Sequence, residues 1–319
     1  MSQASSAQRE RSLGSAGVSF RQQGKMSLFL NSEKVSGLVC ALPFIIGFLA
    51  FLLVPILLSL YYTLTDYSII GDPNWVGFQN YIDMFQDDKF WKSLGVTFYY
   101  ALVSTPLRLV FALLVAMLLL RNSKVSGFYR AAYYLPSILG GSVAVAILWK
   151  QMFAADGVIN NALGLFGIHT KFAWLGDERT AIWTLIILGV WQFGSSMLIF
   201  LASLKQIPTE LYEAASVDGA SKWRQFWKIT LPLLTPTIFF NLVMQSINGF
   251  LAFTQCYIIT QGKPRNSTLF YMVYMYDESF TRHHAGYGAA LAWVMLIIVG
   301  LYTGFLFLTK RFWVYDEEA

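Results

Sequence analysis

The chain has 319 residues, of which 56% are apolar, 17% aromatic and 13% charged, with a formal net charge of +5. Soluble domains carry roughly a quarter charged residues, so this composition excludes a disordered chain and argues against a water-soluble enzyme. Cys40 and Cys256, the two cysteines, both fall in apolar stretches and read as buried small hydrophobes, with no disulfide or zinc framework.

The chain opens on a segment rich in Ser, Gln and Gly with scattered Arg, which predicts a disordered tail over residues 1–34. Six uncharged runs follow: Val35–Tyr62, Leu94–Leu120 (broken only by Arg108), Ala131–Trp149, Ala181–Leu204, Ile229–Gln261 and Ala285–Thr309. A spanning helix needs about 20 apolar residues, because the hydrocarbon core is about 30 Å thick and each residue rises 1.5 Å. All six satisfy this, Ala131–Trp149 by the smallest margin. The runs are continuous rather than alternating, which predicts helices and not barrel strands. The first begins after a long polar segment and exceeds the apolar core of a signal peptide, so it reads as a retained span. The expected fold class is all-α, a polytopic membrane protein with six transmembrane helices over residues 35–313 and a short tail over 314–319.

Lys and Arg in alternate connections set the orientation. The tail, the second connection, the fourth and the C-terminal end carry five, three, four and two, whereas the other three connections carry two, two and three. Both termini are therefore expected in the cytoplasm. The positive net charge is a topological signal, and no nucleic-acid partner is needed to explain it.

The fourth connection, residues 206–232, has helix signals of its own. Pro208 opens a helical stretch over Thr209–Val217, Gly219 interrupts it, and Ala220–Ile229 resumes before Pro232. Two short cytoplasmic helices joined at a bend are expected. The second carries Trp223, Phe226 and Trp227 on one face and Lys222, Arg224 and Lys228 around it, a pattern suited to the membrane surface.

Glu213-Ala214-Ala215-Ser216-Val217-Asp218-Gly219, followed by Ile229-Thr230-Leu231-Pro232, resembles the EAA loop of permease subunits of bacterial ABC importers. Tyr133-Tyr134-Leu135-Pro136, Trp149 with Met152-Phe153, Ile207-Pro208-x-Glu210-Leu211 and Gly286-Tyr287-Gly288-Ala289-Ala290 resemble the maltose-type branch of carbohydrate-uptake permeases. The resemblance covers residues 35–313 and implies a type I importer fold. It also implies a second permease subunit, a cytoplasmic ATPase dimer, an external solute-binding protein and a sugar substrate, with the chain itself set in the lipid bilayer. The loop is then the coupling element, with Glu213, Ala214, Ala215, Asp218 and Gly219 meeting the ATPase. Small side chains allow close approach, the carboxylates accept charge-assisted hydrogen bonds, and Gly219 permits the bend.

No cofactor is expected in this chain, since Mg-ATP belongs to the partner ATPase. No phosphate-cradling loop occurs, because Gly262-Lys263 is followed by Pro264, and no zinc-helix or nucleophile-elbow motif appears. His169, His283 and His284 fall in external connections and read as solvated.

Sugars are bound through amides that match hydroxyls and aromatic faces that cover C–H surfaces. In the fifth run Asn241, Gln245, Asn248, Ala252 and Gln255 share one helical stripe. Amides are costly against lipid, so the stripe faces either a wet cavity or neighbouring helices that it glues together. The fourth run offers a weaker stripe of Trp191 or Gln192 with Ser195 and Thr184, which suits packing equally well. Arg108 is the one charge placed mid-membrane, and no Asp or Glu lies in any of the six runs. Its partner is a backbone carbonyl, a polar group such as Gln245, the second permease, or a substrate carboxylate. The last case would make the substrate an acidic, uronate-containing oligosaccharide. An ion-coupled secondary transporter is the remaining alternative, and the missing intramembrane acids weigh against it.

Overall fold

The computed structural model describes residues 33–120, 126–168 and 171–315. Among these, every regular element is helical, and the single β pairing is an isolated antiparallel bridge between Thr65 and Trp75. Most of the expected N-terminal tail, the end of the C-terminal tail and His169 lie outside the described residues. Glu33 and Lys34, assigned to the tail from sequence, are already helical.

The chain divides into two compact units at Leu58 and Ser59. The first unit holds α1 (Glu33–Phe48), a π-helical turn (Leu49–Leu53) and the start of α2 (Val54–Tyr62). Its apolar side chains from Leu42 to Leu58 are all exposed, with Phe51 at 85%. A helix that is apolar all round requires lipid or another subunit as its solvent. Cys40 is exposed there, against the burial expected from sequence, because its run packs on nothing within its own unit.

The second unit begins with the end of α2 and the short α3 (Gln79–Gln86), then the 31-residue α4 (Asp88–Leu118). Asp87 caps α4 by accepting a hydrogen bond from the Lys89 amide at 2.8 Å. At 1.5 Å per residue α4 is about 46 Å long, ample for the hydrocarbon core.

Two of the six expected spans are broken helices rather than straight ones. The third divides into α5 (Ser126–Leu139) and α6 (Val143–Met152), 98° apart. Gly140 and Gly141 form the break, and Ser142 starts the new helix by accepting from the Val145 amide at 3.3 Å. After α7 (Val158–Leu165), the fourth span divides into α8 (Glu178–Trp191) and α9 (Gly194–Gln206), bent by 41° at Gln192 and Phe193.

The fourth connection holds α10 (Thr209–Val217) and α11 (Lys222–Gln225). The second loop helix is not the separate element expected from sequence. Instead, α11 continues through a π turn (Phe226–Thr230) into α12 (Leu231–Phe250), since Leu231-Pro232 lies in the first turn of α12, where proline is tolerated. The fifth span then steps at Leu251–Phe253 into α13 (Thr254–Ile259). After α14 (Tyr271–Tyr276) and another π turn (Asp277–Thr281), α15 (Ala285–Trp313) is the last span.

Two separate apolar cores hold the second unit together. One contains Ala101, Leu188 and Phe250, and the other contains Leu109, Phe193 and Leu234. Along α4, the fourth span and α12, each span leaves one core and enters the other. The residues in between are polar: Ser104, Thr105 and Arg108 on α4, Gln192 at the α8–α9 bend, and Gln245 and Ser246 on α12. A polar layer between apolar cores is tolerable only when its groups find partners.

Gly194 sets how closely α9 lies against α5. A Cβ there would collide with the Tyr133 carbonyl and would sit 2.7 Å from Tyr134 Cα and 2.9 Å from Ser137 Oγ. Backbone cannot give way as a side-chain tip can. Gly194→Ala is therefore expected to cost about 1–3 kcal/mol of stability, read as a lower unfolding temperature in detergent. An unchanged temperature would contradict this packing.

Candidate functional site

The polar layer opens into a cavity of about 380 Å³ lined by Arg108, Gln192, Gln245, Asn248 and Gln255, with Tyr100 and Ser104 on the α4 side. Three helix irregularities meet at it: the Gly140–Gly141 break, the Gln192–Phe193 bend and the Leu251–Phe253 step. The first two release backbone carbonyls, those of Gly140 and Gln192, and these supply acceptors that the layer needs.

Arg108 ties them together. Its Nε donates to the Gln192 carbonyl at 3.0 Å, Nη2 donates to that same carbonyl, and Nη1 donates to Gln245 Oε1 at 2.7 Å. Of the partners considered from sequence, a backbone carbonyl and Gln245 are both realised. The carbonyl belongs to the residue that ends α8, where the helix dipole favours a cation. Ser137 Oγ donates to it as well, at 2.9 Å, and accepts from the Ser195 amide at 3.0 Å. Gln192 Nε2 and Gln255 Nε2 each donate to the Gly140 carbonyl at 3.2 Å.

The stripe read along the fifth run divides by residue. Gln245 is engaged on every side: Oε1 takes Arg108, Nε2 donates to Ser196 Oγ at 3.1 Å, and its carbonyl accepts from Thr105 Oγ1 at 3.3 Å. Asn248 instead lies exposed on the cavity wall. Gln255 reaches the same cavity from α13, so the stripe is not one continuous helix. Asn241 is not brought to the cavity. It is buried, its Nδ2 donates to the Thr237 carbonyl in the preceding turn at 3.1 Å, and its Oδ1 has no partner among the described residues. Tyr100 and Ser104 were missed in the sequence, although with Arg108 they recur every four residues and so mark a polar stripe on α4.

The loop at 206–232 is built to hold its shape. The Gly219 amide donates to Ser216 at 3.1 Å and the Ala220 amide to Ala215 at 2.9 Å, with Gly219 at φ +75°. That is a Schellman termination of α10, which needs a residue in the left-handed region. Tyr212 and Thr230 hydroxyls pair at 2.9 Å, and Gln225 Nε2 donates to Ser216 Oγ at 2.9 Å, fastening α10 to the base of the fifth span. Glu213, Ala214, Asp218 and Gly219 remain exposed, Ala215 is half-buried, and Val217 is 89% exposed.

A second cavity, about 370 Å³, is lined by Asp66, Asp83, Asp87, Tyr274, Glu278 and His284, among others. His284 is exposed, as expected from sequence, and its Nδ1 lies 3.2 Å from the buried Glu278 carboxylate, which also pairs with Arg282 at 2.9 Å. Burial, and then the hydrogen bond that the Tyr274 hydroxyl donates to Asp87, push that hydroxyl well above the ordinary tyrosine range. Burial likewise raises the nearby Asp277 carboxyl, against the pull of Arg282.

Residues 85–312 match the family of binding-protein-dependent transport system inner membrane components. The chain belongs to this family. As such it is a transport component of the cell membrane, an ABC importer permease rather than an enzyme. The permease is 51% identical over 297 residues to "Probable ABC transporter permease protein YesP" of Bacillus subtilis (strain 168), covering 92% of this chain and 96% of that protein. It is 30% identical over 260 residues to "Probable starch degradation products transport system permease protein AmyD" of Thermoanaerobacterium thermosulfurigenes, covering 81% and 88%. Its fold matches a chain of a bacterial ABC transporter that imports the acidic polysaccharide alginate, with a TM-score of 0.75, 23% identity, and coverage of 89% of this chain and 98% of that one.

Proposed function

We infer that this permease passes an oligosaccharide across the cytoplasmic membrane, working with a second permease, an ATPase dimer and an external solute-binding protein. The observation that carries the substrate class is the lining of the cavity around Arg108: amides and hydroxyls, no carboxylate among the described residues, and one arginine already bound to protein acceptors. Such a surface matches the hydroxyls of a sugar. Relatives named for starch degradation products, arabinooligosaccharides and lactose support it. The uronate alternative rests on Arg108, and the engagement of that guanidinium disfavours it.

In this reading residues 35–313 form a six-span domain with both termini in the cytoplasm, and Mg-ATP binds only the partner ATPase. Closure of the ATPases draws the 206–232 loops together, and the spans to which they are fastened tilt to open the cavity outward. Hydrolysis releases the ATPases, and the cavity opens inward. Only a ligand that binds one state more tightly can shift such an equilibrium, and ATP supplies that difference.

The test is purification of the tagged permease in mild detergent, followed by reconstitution with the proteins that accompany it and the solute-binding protein. ATP-dependent uptake of labelled maltotriose, arabinotriose or lactose is expected. Uptake driven by an ion gradient without ATP, or ATP-driven uptake of none of these sugars, would overturn the reading.

A further inference from the structure

Four aromatic rings lie in contact from the cavity around Arg108 to the connection before the last span. Phe253 lines the cavity and stacks on Tyr257, with centroids 5.1 Å apart and planes 18° from parallel. Tyr276 lies 5.2 Å from each of these rings, and Phe280 follows Tyr276 at 5.1 Å. Phe280 is 57% exposed and the other three are half-buried, so every ring keeps surface that packing leaves uncovered.

The arrangement draws on three local features. Phe253 sits in the step between α12 and α13, Tyr257 on α13, and Tyr276 at the end of α14. Phe280 is carried by the π turn at Asp277–Thr281, an irregularity that recurs at functional sites. Polar groups accompany these rings: Gln255 lines the cavity together with Phe253, and Asp277 follows Tyr276 in the chain. Amide and carboxylate side chains are costly against hydrocarbon, so this surface meets water rather than lipid tails.

We propose that Phe280, Tyr276, Tyr257 and Phe253 form a stacking track that conducts an oligosaccharide, by the C–H faces of its sugar rings, into the cavity beside Asn248. Each aromatic ring offers a flat apolar face to the C–H surface of a sugar. Neighbouring rings 5.1–5.2 Å apart let one sugar unit engage the next ring before it leaves the last. The track rests on the sugar-import reading and adds a site to it.

The test uses the complete transporter in proteoliposomes with its loaded solute-binding protein, and labelled maltopentaose, arabinopentaose and alginate pentasaccharide as probes. The readout is sugar delivered per ATP hydrolysed, with receptor-stimulated ATP hydrolysis measured alongside. Tyr276→Ala and Phe280→Ala are each expected to lower sugar per ATP by about threefold for the pentasaccharide that the wild type carries. Receptor-stimulated hydrolysis stays at the wild-type rate, and Tyr276→Phe retains wild-type delivery. Phe280 is exposed, so its variant decides the matter if Tyr276→Ala fails to assemble. Wild-type delivery in the alanine variants, or an equal loss in Tyr276→Phe, overturns the track while the sugar reading stands. A wild type that carries none of the three pentasaccharides overturns the track, and the sugar reading falls with it only if maltotriose, arabinotriose and lactose are refused as well.

Discussion

Arg108→Gln is expected to slow uptake of neutral and uronate-containing oligosaccharides by the same factor, while the permease still reaches the membrane and assembles. The guanidinium holds the Gln192 carbonyl at the end of α8 and Gln245 Oε1 on α12 with one planar fork. A glutamine is too short and has too few donors for both. The Gln192 carbonyl keeps its bond from Ser137 Oγ, but Gln245 Oε1 loses its donor inside the fold, a penalty of about 1–3 kcal/mol. Where that penalty falls on the state that holds the cavity in shape, transport drops by about 5- to 150-fold, since 1.4 kcal/mol is a factor of ten. Arg108→Lys keeps the charge without the fork and is expected to fall between the two. Paired uptake assays with maltotriose and an alginate trisaccharide measure the outcome. Selective loss of the alginate sugar would instead make Arg108 a reader of substrate carboxylates.

Arg108 also shows where sequence reading reaches its limit. Its isolation was legible, because a lone charge in an apolar run has no local partner at helical spacing. Its acceptors lie 84 and 137 residues away, so naming them required the fold. The six runs were legible for the opposite reason: continuous apolarity is a local property that the bilayer alone demands. The breaks within them were less so, since composition does not separate a straight span from a bent pair. Gly140-Gly141-Ser142 did carry a usable signal, two permissive residues followed by a good N-cap. The stripe from Asn241 to Gln255 was read as one face of one helix. The step at Leu251–Phe253 invalidates that reasoning for Gln255, yet Gln255 reaches the cavity because it shares the Gly140 carbonyl with Gln192. Asn241, with correct spacing, does not reach it. Helical periodicity places residues on a face, and only packing decides which part of that face opens into space.

Gly219→Pro is expected to abolish ATP-coupled uptake without removing the permease from the membrane, and Gly219→Asn to retain most of it. A Cβ at Gly219 would meet nothing within 4 Å, so the position does not exclude side chains by crowding. What it requires is φ near +75° and an amide that donates to Ser216. Proline provides neither, being fixed near −65° with no N–H, whereas asparagine visits the left-handed region readily. Losing the Schellman termination frees α10 from α11 and places Glu213, Ala214 and Asp218 at a different angle to whatever they meet. Tyr212 and Gln225 transmit any force on α10 to the foot of the fifth span, so an altered angle becomes an altered push. Glu213→Lys tests the contact rather than the angle: it reverses an exposed charge, leaves the termination intact and is expected to lose coupling as well. ATP hydrolysis and uptake measured on the same reconstituted complexes separate the cases. Hydrolysis that persists while uptake falls identifies this loop as the lever, and wild-type uptake in Gly219→Pro and Glu213→Lys would remove it from the coupling path.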